Sequence, residues 1–264
     1  MNSEQPQFLD VGMGASMRRI AYRFRPRAGS RNPGVVWLGG FRSDMDSTKA
    51  LALDAFCASD GRPCLRFDYS GHGVSGGDFE AGTIGRWLEE SLAVIRAACE
   101  GPYVFVGSSM GGWIALLAAR ELAAAGEARW LAGLTLIAPA IDFTEALLWP
   151  RLPEDARQAI MRDGRYEHPS AYSPQPYVYT RALIEDGRQH LLLDGLVRSH
   201  APVRILQGMK DPDVPYGHAL TLVEHMPMDP VTLTLIRDGD HRLSRDEDVR
   251  LLVEAVAGMG QSAM

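Results

Sequence analysis

Lysine is almost missing from this chain: only Lys49 and Lys210 occur among 27 basic residues, the rest being arginine. That is a compositional bias from which no mechanism follows. Basic residues are also outnumbered by 33 acids, giving a formal charge of −6, and a deficit of positive charge counts against nucleic acid as a partner. Cysteine is scarce. Cys57, Cys64 and Cys99 are odd in number and form no C-x-x-C pair, so they read as buried or idle thiols in a reducing compartment. No apolar run approaches the ~18 residues of a transmembrane helix. The opening stretch Met1-Asn2-Ser3-Glu4-Gln5-Pro6-Gln7 has neither the basic and apolar regions of a secretory signal nor the Arg-rich, acid-poor character of a transit peptide. A cytoplasmic protein is expected. No H-E-x-x-H motif or Cys/His cluster occurs, and Asp240-His241 alone is too little for a metal site, so neither metal nor cofactor is expected.

Repeats, low-complexity runs and Gly/Ser linkers are likewise absent, which predicts one domain over residues 1–264. Apolar runs alternate along it with segments of helical spacing. The strand candidates are Arg19–Phe24, Val35–Leu38, Cys64–Phe67, Tyr103–Val106, Leu134–Ile137, Val203–Leu206 and Val231–Ile236. Helical spacing falls at Lys49–Ala58, Thr83–Ala98, Trp113–Ala124, Arg181–Leu193, Gly217–His225 and Asp246–Ala257. Such alternation predicts an α/β fold with a doubly wound, mostly parallel sheet of about eight strands, because parallel neighbours require crossovers. Between Asp142 and Arg198 the alternation stops. That stretch holds a short helix near Glu154–Arg162 and the aromatics Trp149, Tyr172, Tyr177 and Tyr179. Connections this long usually serve as lids or binding loops, so 142–198 is expected to be a lid insertion whose aromatics line an apolar pocket; plain ornament packed on the sheet is the alternative.

Gly107-Ser108-Ser109-Met110-Gly111 fits G-x-S-x-G, but so does Gly73-Val74-Ser75-Gly76-Gly77. Context separates them. A nucleophile elbow needs a strand, a sharp turn and then a helix. Ser109 has Tyr103–Val106 before it and Trp113–Arg120 after it, whereas Ser75 sits in a glycine-rich loop. A serine hydroxyl needs a base to take its proton. His241 alone follows the last strand; His168, His190 and His200 fall in or beside the insert, and His218 and His225 in a helix. Asp211, on the loop after the strand ending at Leu206, is the expected acid, with Asp213 its near rival and Asp142 the more distant one. The oxyanion donors are expected to be the backbone N–H groups of Met110 and of Phe41, in the loop Leu38–Ser43. Arg42 could add charge at the mouth.

Taken together these residues resemble the α/β-hydrolase superfamily, and within it the alpha/beta-hydrolase domain-containing protein 10 group with its bacterial relatives. The resemblance rests on Gly39–Met45 with Thr48-Lys49-Ala50, Arg66–Gly73, Val106–Trp113, Gly208–Asp211 with Val214-Pro215, and Asp240–Arg242. It implies a palmitoyl-protein thioesterase or acyl-glucuronide esterase whose nucleophile, acid and base fall on Ser109, Asp211 and His241. No counterpart of the long leader of the mitochondrial members is expected here, and the insert matches only loosely. The expected substrate is a small-molecule ester or thioester, or an acylated protein, cleaved through an acyl-enzyme. A dehalogenase would carry aspartate at position 109. A carbon–carbon bond hydrolase and a non-catalytic ligand receptor on the same scaffold stay open at this point.

Overall fold

The structure is a computed structural model that describes residues 5–169 and 176–260. The chain begins with β1 (Gln7–Val11) and β2 (Arg18–Arg25), then β3 (Gly34–Leu38), α1 (Thr48–Asp60) and β4 (Cys64–Phe67). It continues through α2 (Ile84–Ala98), β5 (Tyr103–Ser108), α3 (Met110–Ala124) and β6 (Leu131–Ile137). The insert contributes α4 (Glu154–Asp163), β7 (Arg165–His168), β8 (Tyr177–Thr180) and α5 (Arg181–Gly187). The chain then closes with β9 (Val203–Gly208), α6 (Tyr216–Glu224), β10 (Val231–Ile236) and α7 (Asp246–Ala257). Eight strands form one sheet in the order β1-β2-β4-β3-β5-β6-β9-β10. β1, β2 and β4 pair antiparallel, and every junction from β4 to β10 is parallel.

Why the central strands are apolar throughout follows from their two covered faces. In β3, Val36 and Leu38 pack with the core under α2, α3 and α6, while Val35 and Trp37 pack with α1 and α7 on the other side. β5 divides the same way, Tyr103 and Phe105 against Val104 and Val106. A strand buried on both faces has no polar side to alternate with. α3 shows the same pressure, with Trp113, Ile114, Leu116 and Leu117 all buried against the sheet.

Three expectations need correction. β1 was not foreseen: it is a short edge strand with a mostly exposed pattern, held by register to β2. The stretch 142–198 is more regular than a loop, since β7 and β8 form a two-stranded antiparallel hairpin. The helix expected over Arg181–Leu193 stops at Gly187, because the N–H groups of Leu192 and Leu193 turn to the Asp142 carboxylate at 2.8–3.0 Å. Asp142 thereby ties the start of the insert to its end.

One glycine is needed for close approach. A Cβ on Gly111, in the first turn of α3, would overlap the Leu38 and Gly39 carbonyl oxygens at the exit of β3. Both are backbone atoms and cannot rotate away. Gly111→Ala is therefore expected to destabilise by about 3 kcal/mol, the upper range for overpacking. Denaturant unfolding checks this, and a loss below about 1 kcal/mol would contradict the contact.

Candidate active site

β5 ends at Ser108, α3 begins at Met110, and Ser109 stands between them with φ 55° and ψ −120°. A non-glycine residue reaches such dihedrals only when its surroundings over-determine it. Here the Ser109 N–H donates to the Ile137 carbonyl at 2.9 Å, and the Ser109 carbonyl accepts from Gly112 at 2.9 Å and Ala140 at 3.1 Å. The hydroxyl is thus presented above the C-terminal edge of the sheet, where crevices of open α/β sheets lie.

His241 comes from the loop after β10 and Asp211 from the loop after β9. His241 Nε2 lies 3.1 Å from Ser109 Oγ, and His241 Nδ1 lies 2.8 Å from Asp211 Oδ2. The Asp211 side chain is fully buried, yet its acceptor capacity is filled. Oδ1 accepts from the N–H groups of Asp213 at 2.9 Å and Val214 at 2.8 Å, and Oδ2 also receives Gln207 Nε2 at 3.3 Å. A carboxylate at Nδ1 leaves Nε2 as the lone-pair nitrogen facing the hydroxyl, an arrangement suited to moving a proton from Oγ to the ring. Of the two rival acids, Asp213 contributes its backbone N–H to Asp211, and Asp142 is committed to the insert.

The second G-x-S-x-G match lies elsewhere. Ser75 Oγ donates to the Asp68 carbonyl at 2.7 Å and accepts from the Ala21 N–H at 2.8 Å, fastening its loop to β2. Three of the other histidines have partners elsewhere. His218 Nε2 meets the Ile141 carbonyl at 2.9 Å, His225 Nδ1 the Thr221 carbonyl at 2.8 Å, and His190 stands 3.7 Å from Asp186. His168 lines the cavity but makes ring contacts with Tyr166 and Tyr179.

A cavity of about 510 Å³ opens over Ser109, with Phe41, Met110 and His241 in its walls. Gly40, just before Phe41, packs so closely on the elbow that a Cβ there would stand 3.4 Å from Ser109 Cβ. Met110 supplies the first N–H of α3, a position with no intrahelical acceptor. The insert supplies Phe143, Leu148, Leu152, Tyr177 and Tyr179 to the apolar side. Trp149, expected among the pocket aromatics, instead packs beneath the Arg188 guanidinium at 5.1 Å. Tyr172 lies outside the described residues.

Sequence reasoning gave His72 no role of its own, and its signal was only its place within Arg66–Gly73. Its Nδ1–H donates to the Ser70 carbonyl at 3.1 Å, and its Nε2 accepts from the Arg42 N–H at 3.1 Å. Those partners select the neutral tautomer and pin the Phe41-Arg42 turn, where Arg42 has φ 59°. Burial pushes the His72 ring down to about 4, against the Ser70 carbonyl, which favours the charged form. Since the ordinary value is about 6.5, the unfolded chain binds the extra proton first, and stability is lost as pH falls from 6.5 through 4. The full shift corresponds to about 3 kcal/mol. Thermal melts between pH 4 and 7 should slope accordingly, and His72→Gln should flatten them; equal slopes would contradict this.

Among the described residues, Asp211, Asp213 and His241 bring ligand atoms within 4.8 Å of one another, but the two nitrogens of His241 and the oxygens of Asp211 already have the partners given above. No helix of the described residues is long and apolar enough to cross a membrane.

Comparisons with known proteins bear on the family and the fold. Residues 28–255 match the model of the alpha/beta hydrolase family. The human palmitoyl-protein thioesterase ABHD10, mitochondrial, is 35% identical over 227 residues, covering 86% of this chain and 72% of that protein. The crystal structure of a putative hydrolase from Agrobacterium vitis S4 superposes with a TM-score of 0.94 at 50% identity, over 97% of this chain and 99% of that one. Mouse alpha/beta hydrolase domain-containing protein 10 superposes with a TM-score of 0.83 at 30% identity, over 97% of this chain and 98% of that one. The chain belongs to the alpha/beta hydrolase family.

Proposed function

We propose that this enzyme is a serine hydrolase of carboxylic esters or thioesters that works through an acyl-enzyme. The observation that carries the reading is the unbroken contact from Ser109 Oγ through the His241 ring to the buried Asp211 carboxylate. Ser109 Oγ attacks the acyl carbonyl as its proton passes to His241 Nε2. Asp211 holds the tautomer and stabilises the imidazolium without taking the proton itself. The N–H groups of Phe41 and Met110 receive the developing oxyanion. His241 then returns the proton to the departing alcohol or thiol, and water repeats the sequence on the acylated serine, releasing the acid and restoring the hydroxyl.

The insert is proposed as a lid over the acyl side of the pocket, within one domain. Phe143, Leu148 and Tyr179 supply an apolar wall there, which supports an apolar acyl group. Relatives named as palmitoyl-protein thioesterases support thioesters, including acylated proteins, among the substrates. The proposed location is cytoplasmic, which the three free, buried cysteines fit, whereas those relatives are named as mitochondrial. Hydrolysis of matched ester and thioester series of graded acyl length, with His241→Ala as control, tests the reading. Turnover of every series at the uncatalysed rate would overturn it.

A further inference from the structure

One of the two lysines, Lys49, sits at the second position of α1 and lines the same cavity as Ser109 and His241. Its ammonium donates to the Arg242 carbonyl, the residue directly after His241, and reaches Ser244 Oγ at 3.4 Å. Ser244 Oγ donates to the same carbonyl at 2.9 Å. From the other side, the Asp240 carboxylate accepts the N–H groups of Arg242 and Leu243, both at 3.0 Å. The turn bracketed in this way is strained, because Leu243 is held at φ 42° with its side chain buried. A leucine in the left-handed region relaxes unless its backbone partners hold it. His241 lies within that turn, between Asp240 and Arg242.

We propose that Lys49 is a positioning residue for His241: by holding the Arg242 carbonyl it keeps the strained turn in the register that aims Nε2 at Ser109 Oγ. The proposal rests on the serine-hydrolase reading above. It gives α1 a task that a helix on the sheet face does not otherwise need. Arginine, the usual basic residue of this chain, has a planar fork, whereas an ammonium is a compact charge on a flexible stem that suits a single carbonyl.

The groups facing Lys49 are Arg242 and Asp240 on the turn and Asp248 on α7, with His241 in the shared cavity. Burial, reinforced by the Arg242 guanidinium and opposed by Asp240 and Asp248, brings the ammonium down to about 8. Deprotonation weakens its hold on the carbonyl. It also relieves a half-buried charge, so folding stability should rise with pH from about 8 to the ordinary lysine range, over the interval where activity falls.

The test is the pH dependence of kcat and KM for wild type, Lys49→Met and Lys49→Arg on one ester, with a thermal melt at each pH. Wild-type kcat should decline as pH rises through about 8. Lys49→Met should lose kcat by about 10²-fold at neutral pH with KM held, the cost of a base misplaced by about 1 Å, and show no such decline. Lys49→Arg keeps its charge throughout, so it should retain more kcat and lack the alkaline limb. A purely structural lysine would lower the melting temperature and leave kcat and its pH profile unchanged, which overturns the proposal. If Lys49→Met does not fold, an alkaline limb in Lys49→Arg identical to wild type overturns it as well. Ser109→Ala in the same series separates the two failures. A mutant that turns over normally sinks the serine-hydrolase reading itself, whereas an inactive one beside a normal Lys49→Met sinks only the role of Lys49.

Discussion

Ser109→Ala should lower kcat by roughly 10⁵–10⁶-fold, leaving only what the oxyanion donors and substrate binding supply. The alanine fits the site sterically, because the strained elbow is held by the backbone of residue 109 through Ile137, Gly112 and Ala140. Loss of activity should therefore come without loss of fold. Fluorophosphonate labelling of the wild type, its disappearance in Ser109→Ala, and superimposable melting curves check this together. His241→Ala should cost about as much, and combining it with Ser109→Ala should cost little more, because residues that act as a unit are not additive. Aryl-ester turnover by Ser109→Ala near the wild-type rate would exclude Ser109 as the nucleophile.

Asp211→Asn should cost roughly 10⁴-fold in kcat with KM little changed. The carboxamide can keep the N–H donors of Asp213 and Val214 on its oxygen. Its NH₂ then faces His241 Nδ1 in place of Oδ2, now 2.8 Å from the ring. A donor there favours the tautomer with its proton on Nε2, which cannot accept from Ser109. Asp213→Asn should have a far smaller effect, since the link from residue 213 to Asp211 is its backbone N–H. The two variants measured side by side decide which carboxylate serves the ring; the reverse ranking would exclude Asp211.

How much of this was legible beforehand differs by element. β3 and β5 could be read as strands because both faces are buried, so no polar position interrupts Val35–Leu38 or Tyr103–Val106. β1 and β7 could not: their residues stay largely exposed, and pairing with β2 and β8 is what makes them strands. The end of α5 was misjudged for a related reason. Leu191-Leu192-Leu193 continues an apolar helical pattern, and only the carboxylate of Asp142, fifty residues earlier, diverts those N–H groups.

The site divides in the same way. Local sequence determined the strand–turn–helix that forces Ser109 into its bend, because glycines at 107 and 111 are required within a few residues of it. It also determined the alternation from which a doubly wound sheet follows. Tertiary structure alone gave His72 and Lys49 their places at the turns beside Phe41 and His241, and it supplied the contacts that separate Asp211 from its rival Asp213 and fasten the Ser75 loop. Those choices depend on hydrogen bonds between residues 30 or more positions apart. Their partners become neighbours only once the sheet has formed, and no periodicity along the chain encodes which lone pair each N–H will find.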